Sequence, residues 1–255
     1  MTCRRRIILG SAIAPLLQAV PTFGAETLKF VFSRPYRNPR TQWLIRVYTE
    51  ICETLGFHFE FLDVPPRRAT AMVLAGQADG ELGRTFEFQL LFPSLCRVEE
   101  SNNKVNFCVY GANRSPAFIS MDDVRARGLR CECRRGIREL ETFLSTHLSP
   151  GQLTQSGEVW QGLKKLQLHR TDLYFDVQEA VQDYLYFRSC TRELTDAAEL
   201  RELAVILSTT GHCYLSQARS GLAPQLAAVL RNMKHAGKVS KYLNESLVAY
   251  KRHCP

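Results

Sequence analysis

Arginines and one acid recur at a single kind of position in this chain, directly after a run that alternates apolar residues. "TLKFVFS" is followed by Arg34 and Tyr36, "FHFEFLDV" by two prolines and then Arg67 and Arg68, and "ADGEL" by Gly83 and Arg84. "GLRCEC" is followed by Arg134, Arg135 and Gly136, and "TDLYF" by Asp176. A guanidinium offers a planar fork of donors that fits a carboxylate with two parallel hydrogen bonds, whereas a carboxylate fits an ammonium group. Such a set would recognise an anionic or zwitterionic small molecule. The candidate contacts are Arg84, Asp176, Tyr36, Arg34, Arg68, Arg135 and Gly136. Tyr36 would offer a stacking surface and Gly136 the free N–H of a helix start.

Each of these residues also has a plainer use. Arg84 could be a solvated charge, Tyr36 could pack in its Pro-rich loop, and Asp176 could cap the helix that follows it. Arg67 and Arg68 would sit unfavourably at a helix N-terminus, which makes a ligand or acidic partner for one of them worth seeking. Asp79 and Asp172 are assigned to the turns that hold them.

The elements that position these residues follow from periodicity. "TLKFVFS" reads as a strand, and "RTQWLIRVYTEICETLG" as a helix with Trp43, Leu44, Val47, Tyr48, Ile51 and Cys52 on one side and Gly56 as its stop. "FHFEFLDV" is a second strand, "RRATAMVLAG" a short helix and "ADGEL" a third strand. This βαβαβ order implies a parallel sheet with right-handed crossovers, beyond whose carboxyl ends ligands bind. The same grammar returns in "GLRCEC", "GIRELETFLSTHL", a helix from Trp160 to Leu168, "TDLYF" and "DVQEAVQDYLYF". The turn "GQAD" at 76–79 aligns with "HRTD" at 169–172, where His169 stands at a position suited to a left-handed backbone. "ELAVILSTTGHCYLSQ" reads as two more strands, and the segment after it as two helices separated by Gly237. The fold class is α/β, in two similar lobes.

The first 25 residues place Arg4, Arg5 and Arg6 ahead of an apolar stretch from Ile7 to Val20 and small residues at Gly24 and Ala25, the layout of a secretory signal peptide; "RRRII" also fits a loose twin-arginine pattern. Its removal takes three positive charges from a formal net charge of +8 and leaves the rest spread through the chain, so no nucleic-acid stripe is expected. Nine cysteines occur, and Cys52, Cys96, Cys108, Cys131, Cys133, Cys190, Cys213 and Cys254 would remain after cleavage. An exported chain permits disulfides among them, but the connectivity is open and the simplest role is that of small buried apolar groups. No zinc-type spacing, Gly-rich phosphate loop, Gly-x-Ser-x-Gly elbow or His-Glu-x-x-His is present, so no cofactor and no metal is expected.

Taken in order, these segments resemble the bacterial extracellular solute-binding proteins of family 3, the type II periplasmic binding proteins associated with amino-acid uptake. The likeness rests on "LKFVFS", "LGFHFEF", "PPRRATAMVLAGQADGEL", "MDDVRARGLRCECRRG", "LKKLQLHRTDLYFD" and "GLAPQLAAVLRNMKHAGKVSKYL". It implies a discontinuous first lobe, 26–110 plus 205–255, a second lobe at 111–204, and a hinge at Tyr110–Asn113 and Leu203–Ser208 with a cleft between the lobes. It also implies that Arg84 grips a ligand carboxylate and Asp176 takes the amino group. Two departures stand out: "GELGR" replaces the family's Thr/Ser-rich segment before the arginine, and "GIR" replaces the Gly-Thr or Gly-Ser that opens the second lobe's anion-binding helix. The implied protein is a monomeric periplasmic solute-binding protein, not an enzyme, that closes on a small carboxylate-bearing or zwitterionic ligand and serves an ABC-type permease. The alternatives are a dehydratase-like cleft enzyme using an acid such as Glu81 or Asp176, and a ligand sensor acting in trans.

Overall fold

The computed structural model describes residues 25–187 and 200–252, with backbone alone at Pro66 and Arg67. Nearly all of the expected signal peptide, together with Cys3, Cys190 and Cys254, lies outside the described residues. The first unit is β1 (Thr27–Phe32), α1 (Pro39–Thr54), β2 (His58–Phe61), α2 (Pro66–Leu74) and β3 (Gly80–Thr85), followed by the short α3 (Phe88–Leu91) and β4 (Cys96–Arg97). β5 (Asn103–Gly111) leads into α4 (Met121–Ala126), β6 (Cys131–Arg134), α5 (Arg138–His147), β7 (Leu153–Ser156), α6 (Val159–Gln167), β8 (Leu173–Val177) and α7 (Gln178–Tyr186). The chain returns through β9 (Arg201–Leu215) and ends in α8 (Ala223–His235) and α9 (Lys238–Arg252).

Parallel strands must be covered on both faces, and β1 meets that demand with Leu28, Phe30 and Phe32 on one side and Val31 on the other. α1 starts where the Asn38 side chain accepts from the Arg40 N–H at 2.9 Å, with Pro39 in its first turn, and the chain leaves it at Gly56 with φ +81. Its buried stripe packs beneath α8 and α9, and Trp43 Nε1 donates to the Val239 carbonyl at 2.9 Å. The other face of this sheet carries α2 and the Phe88 and Leu95 side chains. In the second unit α4 and α5 cover one face, and α6 and α7 the other.

One sheet joins both units, in the order β2-β1-β3-β9-β5-β8-β6-β7, with β4 on β9. β1, β2 and β3 are parallel, as are β6, β7 and β8, while the central β5 and β9 run antiparallel to each other. The segment expected to form two strands is the single 15-residue β9. Its first part pairs with β5, and from Gly211 onward it pairs with β3. β5 pairs with β9 along its whole length and with β8 from Phe107 onward, so β5 and β9 are the two strands that run between the units. Periodicity misses β5 because its apolar residues run together, as they must in a strand buried on both faces.

The paired turns are built alike. Gly76 has φ +69 and His169 φ +52, the latter being a non-glycine residue in the left-handed region. Three residues later Asp79 accepts from the Lys29 N–H at 2.7 Å and from Arg219, and Asp172 accepts from the Arg130 N–H at 2.8 Å and from the Arg130 guanidinium. Each acid thus ties the end of a helix to the neighbouring strand. Cys52, Cys108, Cys131, Cys133 and Cys213 are buried and unpaired, and burial pushes the thiols of the first four up to about 12, so they act as small apolar groups.

The Arg130 hydrogen bonds hold the Asp172 carboxyl below its ordinary value of 3.8, against a smaller opposing effect of burial. A depressed carboxyl contributes stability that is complete above its unfolded pKa and is lost as pH falls through the folded one. Asp172→Asn is therefore expected to lower the melting temperature at neutral pH and to flatten its decline below about pH 4. Parallel acid-melting curves for the two proteins would expose the idea as wrong.

Candidate functional site

A cavity of about 120 Å³ lies between the lobes, at the carboxyl ends of β1, β3 and β8, where the strand-end rule puts it. Arg34, Arg40 and Arg84 reach it from the first lobe, and Val177, Glu179 and Glu139 from the second. A larger groove of about 370 Å³ adjoins it, and the two share Phe107 and Glu139.

Arg84 owes its direction to the glycine before it. Residues three apart on a regular strand face opposite ways, yet β3 carries one extra residue between Glu81 and Arg84 relative to β9. Gly83 absorbs that bulge with φ +70, and a Cβ there would stand 2.5 Å from the Phe32 ring. Glu81 and Arg84 consequently share a face. The fully buried Glu81 accepts from Arg84 Nε at 2.7 Å and from Thr70 Oγ1 at 2.9 Å, and the Arg84 guanidinium lies 4.8 Å from the centre of the Phe88 ring. Arg84 Nε and Nη2 are engaged by Glu81 and Thr70; Nη1 has no protein acceptor among the described residues.

Ion pairs cross the cleft. Arg40, on the first turn of α1, holds Asp183 with Nε at 2.6 Å and Nη2 at 2.8 Å, and reaches Glu179 with Nη1 at 3.1 Å. Arg34 donates to Glu179 at 2.9 Å, and Asn103 donates to the same carboxylate at 3.1 Å. Thr85 donates to Glu139. Burial by itself would lower the Arg40 pKa, but the Asp183 hydrogen bond and the two carboxylates outweigh it and raise it above the ordinary value.

The candidate residues divide. Arg34 and Arg84 line the cavity. Asp176 does not: it shares the Tyr174 face of β8, which points into the layer of α6 and α7, and it is fully buried. Its oxygens accept from Arg134 Nε and Nη2, the Tyr174 hydroxyl and the Val177 N–H, which places it apart from the cavity where an ammonium group was expected to meet it. Nor does it cap α7, whose N-cap is Val177. Tyr36 is half exposed and leans on Phe61, and Arg68 is exposed on α2; both lie outside the cavity lining. Arg135 lines a separate hollow on the second lobe with Trp160 and Lys164. The Gly136 N–H, expected to meet a ligand anion, donates to Glu141 at 2.7 Å.

Arg40, Glu139, Glu179 and Asp183 escaped the sequence reading, although signals for them existed. An arginine in the first turn of a helix asks for an acid, and Glu179 and Asp183 sit four apart on one helix face. Among the described residues no group of three or more His, Cys, Asp or Glu is placed to hold a metal.

No family model matches the chain. An uncharacterised protein of Shewanella oneidensis is 25% identical over 242 residues, 95% of this chain and 89% of that one. Among solved structures, a histidine kinase sensor domain with similarity to periplasmic binding proteins matches 88% of this chain and 97% of its own, with TM-score 0.67 and 14% identity. The substrate-binding protein of an amino acid ABC transporter from Streptococcus pneumoniae, bound to L-arginine, matches 88% and 95% with TM-score 0.63 and 13% identity. Another amino acid transporter's substrate-binding protein matches 86% and 98% with TM-score 0.60 and 15% identity. The fold is that of the two-lobed periplasmic binding proteins. In this binding-protein fold the two units of the sheet are the lobes, and the charged cavity is their shared cleft.

Arg40→Met removes the cation that two second-lobe carboxylates share. It is expected to destabilise the protein by about 2 kcal/mol, less than a fully buried pair because the acids stay partly wet. Small-angle scattering should record a larger radius of gyration as the lobes separate, and an unchanged radius would dismiss Arg40 as a latch.

Proposed function

We propose that this chain is a periplasmic solute-binding protein that takes a small polar, amino-acid-like solute into the interlobe cleft, closes on it without turning it over, and delivers it to an ABC-type permease. The observation that carries this reading is the cavity at the strand ends, lined by charged side chains from both lobes that meet across it. Contacts from both lobes are complete only when the lobes are together, so a solute that makes them draws the equilibrium toward the closed form. The free Nη1 of Arg84 suits a carboxylate oxygen, and Glu139 suits an ammonium group, which together describe a zwitterion. The arginine-rich N-terminal segment followed by an apolar stretch supports export. A sensor role, with the same cleft reporting to a partner, is the second reading, favoured by the match to a kinase sensor domain.

A thermal-shift screen with amino acids, organic acids and polyamines tests the reading, because a ligand of the native state stabilises it in proportion to RT ln(1 + [L]/Kd). Stabilisation by a small solute, with compaction in scattering, is the expected result. Arg84→Lys keeps a charge beside buried Glu81 but loses the fork, and should weaken a carboxylate-bearing hit by about tenfold. An undiminished shift in that variant removes Arg84 from the site. A screen in which nothing stabilises the chain or compacts it counts against solute binding.

A further inference from the structure

We infer that the solute is an amine with an apolar side group, its ammonium held by Glu139 where the two cavities meet and its apolar part seated in the outer groove. This rests on the solute-binding reading and narrows it to a chemical class.

The charges of the cleft are almost fully matched from within. Arg84 is met by Glu81, and Arg34 and Arg40 are met by Glu179 and Asp183. The N–H of Gly136 at the start of α5 is taken by Glu141. Glu139 is the acid of the cavity that no cation meets among the described residues, where its hydrogen bond comes from the Thr85 hydroxyl. Three guanidinium groups therefore face four carboxylates, and at the groove's rim Arg138 and Glu87 balance each other. The partial positive charge of the α5 N-terminus softens Glu139, but it is shared with Glu141 in the same first turn. An acidic solute would add negative charge to a cleft that already has an excess of it. An ammonium group cancels that excess.

Leu90 and Leu91 of α3 stand 83% and 43% exposed, and Phe143 of α5 faces them from the other lobe, with Leu207 and Phe107 also in the wall of the groove. Apolar side chains contributed by both lobes at the mouth of a cleft gain burial when a solute lies between them. Phe107 and Glu139 belong to both cavities, so one molecule can place its ammonium at Glu139 and its side group against Leu90, Leu91 and Phe143. The inner cavity of about 120 Å³ leaves room for the polar end alone, since pockets for drug-sized ligands are roughly 300–1,000 Å³.

The test is calorimetric titration of the full mature chain with two sets of probes. L-Phenylalanine, L-leucine and phenethylamine form the first set, and L-glutamate and succinate the second. Binding within the first set is expected. Glu139→Gln should weaken it by about tenfold or more, as loss of a charge-assisted hydrogen bond implies. The double variant L90S/L91S, at exposed positions that place little demand on the fold, should weaken phenylalanine and phenethylamine several-fold. Binding confined to the acids overturns this inference and leaves solute binding standing, and so does amine binding that Glu139→Gln leaves as tight as before. Heat from neither set overturns the inference too, while the broader screen and the scattering then decide the solute-binding reading.

Discussion

The cleft depends on one electrostatic constraint: a guanidinium drawn out of water needs a carboxylate beside it. Arg40 satisfies it with Asp183 and Glu179 and Arg84 with Glu81, and away from the cleft Arg134 satisfies it with Asp176. Desolvation of such groups costs several kcal/mol each, and mutual attraction offsets that only where the geometry is good and the remaining oxygens are also bonded. Asp176 meets the condition fully, with Arg134, Tyr174 and a backbone N–H around it. The local backbone is shaped to deliver these pairs. The bulge at Gly83 exists because a regular strand would aim Arg84 away from Glu81.

The two lobes apply the same solution to a second problem, the return from a helix into a parallel strand. Each turn needs a left-handed residue and then an acid that can bridge to the neighbouring strand's N–H. Gly76 with Asp79 and His169 with Asp172 supply these pairs. His169 accepts a backbone conformation that costs a non-glycine residue on the order of 1 kcal/mol, and the bridges made by Asp172 to Arg130 over-determine it. The parallel strands beside these turns end at the cleft, so the acids far from the site set the height at which Arg84 and Val177 emerge.

Much of this architecture was legible in the sequence because each lobe obeys local rules. The strands around Phe30 and Phe175, the α1 stripe from Trp43 to Cys52 and the left-handed position at 169 all follow from periodicity and turn chemistry. The segment reads as two strands where β9 runs as one, because nothing local reports that one continuous segment serves two lobes. The site was harder. Strand-end position puts Arg34 and Arg84 at the residues that line the cavity, but it does not tell which face of β8 Asp176 takes, and one residue of alternation moves an acid from cleft to interior. The carboxylates that neutralise the arginines come from elements distant in sequence: Glu179 is 145 residues from Arg34 and Asp183 is 143 from Arg40. Pairing at that range is a property of the fold.

Internal pairing also governs what a solute can contribute. A ligand shifts an opening equilibrium only by the difference between its affinities for the two forms, and under the proposed hinge closure the ion pairs from Arg34 and Arg40 would already favour the closed one. Those pairs are partly solvated, so their net worth lies between the near-zero of exposed pairs and the larger value of buried ones. The lobes are thus held by a modest bias, which on the proposed function a solute would extend and would not have to create. A solute repeating the charges already matched inside would displace one of these carboxylates and forfeit part of that bias. One that brings the charge Glu139 lacks, and apolar surface for the groove between α3 and α5, adds to closure at no such loss. On the proposed function, selectivity in this cleft would follow from what the protein has left unmatched.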